Sequence, residues 1–143
     1  GNIYITWVDD RNGDYDVWLI ISADKGETWS EPKRINNDST NKDQFFCWTS
    51  CDPITGYLYS IFYDRRNYDS LETDVYMAIS KDGGASWENI KISEKPFTPS
   101  KKVFFGDYNN IDAYDGIIRP VWTRMDGTRM GIWTAIINDK EAK

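Results

Sequence analysis

The chain has 143 residues, enough for one ordinary domain with a hydrophobic core, and a formal net charge of −6 from 17 basic and 23 acidic side chains. This balance argues against a nucleic-acid partner, which would require clustered cations. The sequence has no histidine, which excludes a Ser-His-Asp triad and His-ligated zinc. No apolar run approaches the roughly 20 residues of a membrane-spanning helix, so we expect no membrane span.

Short runs of β-branched and aromatic residues, bounded by Asp, Asn, Gly and Lys, predict strands along the whole chain. No segment keeps an apolar period of 3.6 residues, so we expect little helix and an all-β fold. In chain order the predicted strands are 3–8, 17–22, 31–35, 45–52, 57–63, 75–80, 87–92, 107–114, 117–123 and 131–137.

An internal repeat organises these strands. The octapeptide SADKGETW at 22–29 recurs 58 residues later as SKDGGASW at 80–87, and the flanking strands recur with it. A third, weaker copy retains Asp139 at the position of the repeated aspartate. Such a spacing indicates several copies of one sheet unit placed side by side.

The repeated octapeptide has the composition of a hairpin turn. An aspartate can accept backbone N–H bonds within the turn, a glycine supplies a positive φ, and hydroxyl groups bind further backbone groups. The indole can pack beside the turn. We therefore predict a structural and non-catalytic role for Ser22, Asp24, Gly26, Thr28, Trp29, Ser80, Asp82, Gly84, Ser86 and Trp87.

Both octapeptides resemble Asp-boxes, the BNR repeats of sialidase-type β-propellers, and the stretches YDRRN (63–67) and FGDY (105–108) resemble those of secreted bacterial sialidase-like proteins. The resemblance covers nearly the whole chain and implies a six-bladed propeller, of which this chain supplies about two and a half four-stranded blades. It implies one incomplete propeller segment, 1–143, with strands B–D of one blade in 1–36, a second blade in 37–93 and strands A–C of a third in 94–143. We expect the remaining blades to come from a longer chain or from other subunits, and the resemblance implies a secreted or cell-surface bacterial protein.

In a four-stranded meander, the ends of the predicted B strands and the starts of the A strands share one rim near the axis. The resemblance implies an exo-sialidase-like, retaining glycoside hydrolase that acts on terminal acidic sugars of a glycan or sialoside, with a tyrosine nucleophile and arginines that hold the substrate carboxylate. Carried onto this sequence, the candidate catalytic residues are Tyr108, Asp107 and Asp64, and the candidate substrate-binding residues are Arg11, Arg66 and Arg124. The family's Phe/Tyr-Arg-Ile-Pro signature has no counterpart here, and no glutamate is assigned as the partner of Tyr108.

A structural interpretation of the same residues stays open. Asp-Arg pairs repeated at successive strand ends (Asp9 with Arg11, Asp64 with Arg66) are typical of salt bridges and turn anchors, and Tyr108 is by default a packing tyrosine. The alternative function is a non-catalytic propeller that binds glycan or protein partners through its loop rim, with exposed aromatic side chains stacking on sugar rings.

Neither a cofactor nor a metal is predicted. The alternating acids of 10–16 resemble the start of an EF-hand loop, but Gly13 precedes Asp14 and the twelfth position is Ile21, so a polar turn is predicted. Cys47 and Cys51 would lie ~13 Å apart on a strand, too far for a disulfide, and we expect both to be small buried hydrophobes.

Overall fold

The computed structural model describes residues 1–100, 102–106 and 108–140, and these residues form three antiparallel sheets and no helix. The prediction of an all-β fold is confirmed. No segment of the described chain is therefore a helix long and apolar enough to cross a membrane. The first sheet contains β1 (Ile3–Asp9), β2 (Asp16–Ser22) and β3 (Lys33–Arg34); the second contains β4 (Gln44–Cys51), β5 (Leu58–Asp64), β6 (Asp74–Ser80) and β7 (Glu88–Lys91); the third contains β8 (Asn110–Tyr114), β9 (Ile117–Asp126), β10 (Arg129–Thr134) and β11 (Ile137–Asn138).

Two prolines explain the main differences between the predicted and observed strands. The predicted strand 31–35 shrinks to the two residues of β3, since Pro32 has no N–H to donate. The predicted strand 131–137 is two pieces, β10 and β11, which both pair with β9 along the same edge. Pro120 of β9 lies opposite the break and cannot donate a ladder bond there, although its carbonyl accepts a bond from the Thr134 hydroxyl at 2.8 Å.

The second sheet is buried on both of its faces. Every residue of β5 and β6 is buried. Alternate side chains point to opposite faces of the sheet, and both faces are covered by a neighbouring sheet. Ile61 and Met77 pack in a cluster with the third sheet, whereas Phe62 and Ala78 pack in a cluster with the first sheet. This two-sided burial explains why β5 and β6 are nearly continuous apolar runs.

The first and third sheets bury only one face each. Tyr4 and Val8 of β1 pack toward the second sheet, while Ile5 on the other face of the strand is exposed. On the third sheet, Tyr114 and Ile132 are exposed, the latter at 82%. Each outer sheet therefore presents an apolar face that the described residues leave uncovered.

Polar bonds tie the second and third sheets together at both ends of their strands. At one end, the Tyr63 hydroxyl donates to the Thr123 carbonyl at 2.8 Å and accepts from the Thr123 N–H at 3.0 Å. At the other end, Asp139 accepts bonds from the Tyr59 hydroxyl at 3.1 Å and from the Lys81 ammonium at 2.7 Å. Asp139 thus faces the second sheet, and burial raises the pKa of Tyr59.

The two octapeptide turns make the same set of hydrogen bonds. In the second turn, the Ser80 hydroxyl donates to Asp82 at 2.9 Å and accepts from the Gly84 N–H at 2.8 Å, and Asp82 accepts from both the N–H and the hydroxyl of Ser86. The first turn repeats these bonds among Ser22, Asp24, Gly26 and Thr28. The side chains thus replace backbone partners that the turn residues lack.

The predicted burial of the two cysteines is wrong for one of them. Cys47 is half-buried and Cys51 is exposed, and both are free thiols. Cys51 is exposed because it ends β4, the edge strand of the second sheet, beside the turn that begins at Asp52.

Gly84 allows the second octapeptide turn to lie directly on the first sheet. Its φ is +91°, and a Cβ at this position would lie 2.9 Å from both Leu19 Cδ2 and Ile21 Cδ1. We expect Gly84→Ala to lower the free energy of unfolding by about 2–4 kcal/mol, from backbone strain and overpacking together. Gly127→Ala is the matched control, since its φ of +64° has open space around it, and only strain of about 1 kcal/mol is expected there. If urea unfolding gave the same loss of unfolding free energy for both variants, the contact of Gly84 with Leu19 and Ile21 would contribute nothing.

The octapeptide turns should also weaken in acid. Donors from Ser86 and Thr28 lower the pKa of Asp82 and of Asp24 to about 2. A carboxyl group whose pKa is lowered on folding stabilises the fold above about pH 4 and loses that contribution as the pH falls toward 2. We therefore expect Asp82→Asn to flatten the fall in unfolding free energy between pH 4 and pH 2. An Asp82→Asn variant whose unfolding free energy falls as steeply as that of the wild type would contradict this prediction.

Candidate functional site

Each of the three predicted substrate-binding arginines is bonded to an aspartate two residues away, at the end of a strand. Arg11 Nη2 lies 2.6 Å from Asp9, and Arg66 Nη2 lies 2.6 Å from Asp64. Salt bridges at these strand ends, as the structural interpretation predicts, are therefore present. The third sheet repeats the arrangement with the pair Arg124 and Asp126, whose closest atoms are 3.2 Å apart.

Arg66 joins the second sheet to the connection between β3 and β4. Besides Asp64, its guanidinium donates to the side-chain oxygens of Asn37 and Asn89, each at 3.0 Å, and lies 4.3 Å from the centre of the Tyr76 ring. These partners fix the plane of the guanidinium.

Asp64 lies within the same buried network. Its side chain has no exposed surface, and it accepts bonds from the Arg66 N–H at 2.7 Å and from the Arg66 guanidinium. Burial outweighs the attraction of Arg66 and raises the pKa of the Asp64 carboxyl. In this conformation the Asp64 carboxylate is not accessible to a ligand.

Arg124 and Arg11 are each stacked on tryptophan. The guanidinium of Arg124, only 3% exposed, lies 3.4 Å from the centre of the Trp133 ring. Arg11 lies 4.6 Å from the centre of the Trp18 ring and keeps 41% of its side chain exposed. Arg11 is thus the most accessible of the three to a ligand.

Tyr108 is exposed, at 78%, and lines a cavity of about 310 Å³ on the third sheet. The neighbouring Asn109 is buried, and its amide donates to the Phe46 carbonyl at 2.5 Å. The other lining residues are Trp48, Asn110, Val121, Trp122, Thr123 and Ile132, so no glutamate of the described chain lines this cavity. Asp107, the remaining predicted catalytic residue, lies outside the described residues.

A second cavity, of about 370 Å³, lies between the first and second sheets. We call it the seam cavity, and its lining residues are Val8, Tyr15, Asp43, Phe45, Phe46 and Arg65. Sequence analysis did not find it, because a β-bulge in β4 between Phe45 and Trp48 breaks the alternation on which strand reasoning depends. The pair of adjacent phenylalanines at the start of a strand was the available signal.

Beside the seam cavity, a group of aspartates is held by amide side chains. Asn36 Nδ2 lies 2.6 Å from Asp16 and 2.8 Å from Asp38. Burial, together with the charges of Asp16 and Asp38, raises the pKa of Asp14. In the described part of the chain, no three acidic or cysteine side chains are grouped so as to hold a metal ion. The turn at 10–13 closes through a bond from the Gly13 N–H to the Asp10 carbonyl at 2.8 Å.

Neither a family model nor a curated protein matches the chain, but solved structures do. The Hadza microbial sialidase Hz136 superposes with a TM-score of 0.66 at 15% identity over 94% of this chain, and a K499G mutant of the NanB sialidase from Streptococcus pneumoniae with 0.52 at 17% over 94%. A protein of unknown function from Dyadobacter fermentans DSM 18053 superposes with 0.61 at 19% over 98%. The chain spans 32%, 23% and 35% of these structures, respectively. At such identities the likeness shows a sialidase-like fold and no shared activity.

The Asp64–Arg66 pair should contribute to folding. Asp64→Ala leaves a largely buried guanidinium without its carboxylate, so we expect the free energy of unfolding to fall by about 3–5 kcal/mol. Asp9→Ala is the matched control, because its more exposed pair is screened by water and a much smaller loss is expected. If urea unfolding gave the same loss of unfolding free energy for Asp64→Ala and Asp9→Ala, the buried pair would have no special structural role.

Proposed function

We propose that the chain is part of a six-bladed β-propeller in a carbohydrate-active protein that hydrolyses terminal acidic sugars of glycans. The observation that carries the proposal is the superposition of 94% of this chain on each of two sialidases. This chain is equivalent to only 32% and 23% of those two structures. The three sheets then correspond to strands B–D of one blade (1–36), a full blade (37–93) and strands A–C of a third (94–143).

The apolar outer faces support the propeller. The second sheet has a neighbouring sheet on each side, and its strands β5 and β6 are completely buried. Ile5 on the first sheet and Ile132 on the third would be buried in the same way by further sheets. We propose that these sheets come from a longer chain or from other subunits, and that the protein is bacterial and secreted or carried on the cell surface.

The proposed chemistry is centred on Tyr108. Its hydroxyl, deprotonated by a base from another blade, would attack the anomeric carbon while the glycosidic C–O bond breaks. Asp107 is the proposed acid, which protonates the leaving oxygen and then accepts the proton of the water that displaces the tyrosine. Arg11 is the proposed contact to the substrate carboxylate, with further arginines from other blades. Asp64 and Arg66 would support the rim through their mutual bond.

Non-catalytic binding through the loop rim is the second candidate function. It draws on a different observation, namely that Arg66 and Arg124 already have aspartate and aromatic partners. A guanidinium held in this way has fewer N–H groups for a substrate carboxylate. The hydrolysis assay that follows separates the two candidates.

Hydrolysis of a fluorogenic sialoside by the whole polypeptide that carries this chain tests the proposal. We expect turnover by the wild type and a loss of at least 100-fold in kcat for Tyr108→Phe, because phenylalanine cannot form the covalent intermediate. Tyr114→Phe, at another exposed tyrosine of the third sheet, should retain wild-type kcat. Turnover by Tyr108→Phe at the wild-type rate would exclude Tyr108 as nucleophile, and an inactive wild type would favour the binding function.

A further inference from the structure

The seam cavity has a composition suited to a sugar ring. Tyr15, Phe45 and Phe46 give it aromatic surfaces, and its polar groups are the carboxylate of Asp43 and the guanidinium of Arg65. A cavity lined mainly by apolar surface, with a few fixed polar groups, is the usual form of a small-ligand site. The hydrolysis proposal makes no use of this cavity.

The polar pair is fixed in position. Arg65 Nη1 lies 3.2 Å from Asp43, Arg65 Nε donates to the Thr73 hydroxyl at 3.3 Å, and the guanidinium lies 4.7 Å from the centre of the Phe45 ring. Asp43 also accepts from the Tyr15 N–H at 3.3 Å. The pair thus presents an acceptor and a donor side by side, which matches two neighbouring hydroxyl groups, since each hydroxyl both donates and accepts.

The charges around the seam cavity favour a neutral ligand. Asp43 and Arg65 neutralise each other. Nearby lie the buried Asp14, whose pKa is raised in part by the charge of Asp43, and the buried Asp16 and Asp38. Asp16 lies 3.3 Å from Arg34 and Asp38 lies 3.9 Å from Arg66, so the charges here have partners and an uncharged ring needs no counter-ion.

The bulge in β4 links the seam cavity to the cavity at Tyr108. Phe46, a bulky residue, adopts a φ of +53° and contributes its side chain to the seam cavity. Its carbonyl accepts the bond from Asn109, which lines the Tyr108 cavity. The two cavities are therefore joined through the start of β4.

We infer that the seam cavity is a subsite for a neutral pyranose, which stacks on the exposed ring of Tyr15 and bonds through its hydroxyls to Asp43 and Arg65. The inference rests on the proposed function for the class of ligand, a glycan. It assigns to the seam cavity an uncharged sugar unit, distinct from the acidic sugar proposed at Tyr108.

Direct binding of monosaccharide probes to the whole polypeptide that carries this chain tests the inference. The probes are the methyl glycosides of D-glucose, D-galactose and N-acetyl-D-glucosamine, and the measurement is saturation-transfer NMR with titration. We expect at least one of these neutral glycosides to bind. Binding by none of the three would overturn the inference.

Variants locate the binding. Tyr15→Ala should weaken it at least 5-fold and Asp43→Asn at least 3-fold, while Tyr15→Phe keeps the stacking ring and should stay within 2-fold of the wild type. Tyr114→Ala, at an exposed tyrosine of the third sheet, is the control for non-specific stacking. Equal losses for Tyr15→Ala and Tyr114→Ala would overturn the assignment to the seam cavity. Because the readout is binding without hydrolysis, failure of the Tyr108 assay and failure of this one are separate results.

Discussion

Burial of the second sheet on both faces is the constraint on which the rest of the structure depends. With β5 and β6 fully buried, the faces of this sheet hold apolar side chains and the few hydroxyls that bond to one another or to a neighbouring sheet. Charged groups are therefore placed at the strand ends, where the buried Asp64 and Asp74 reach Arg66 and Lys91 as partners. The chemistry of the molecule is thereby confined to the turns and to the gaps between sheets.

The charged side chains at the strand ends have a structural role first. Asp64 and Arg66 illustrate this, since the carboxylate is buried and the guanidinium reaches Asn37, in the connection between β3 and β4, and Asn89 of β7. Charges buried without partners would destabilise the fold, so a structural role is sufficient to explain the buried pair of Asp64 and Arg66. Function is better sought among accessible groups, such as Arg11, Tyr108 and the aromatic residues at the start of β4.

Much of the fold could be predicted from the sequence, because its signals are local. Alternation, the β-branched runs and the repeated octapeptide specify strands and turns within a few residues, and the side chains of Asp24 and Asp82 make bonds inside their own turns. The candidate site could not be predicted to the same extent, because its determinants are not local. The bulge at Phe46 and the stacking of Arg124 on Trp133 depend on packing between strands, which no sequence period encodes.

The seam between the first and second sheets differs at its two ends, and this difference explains where a ligand fits. At the end that carries the octapeptide turns, Gly84 lies so close to Leu19 and Ile21 that no side chain fits between them. At the opposite end, Phe45 and Phe46 leave a cavity of about 370 Å³. Since Gly84 closes one end and the bulge opens the other, the first sheet packs against the second and still leaves room for a sugar ring.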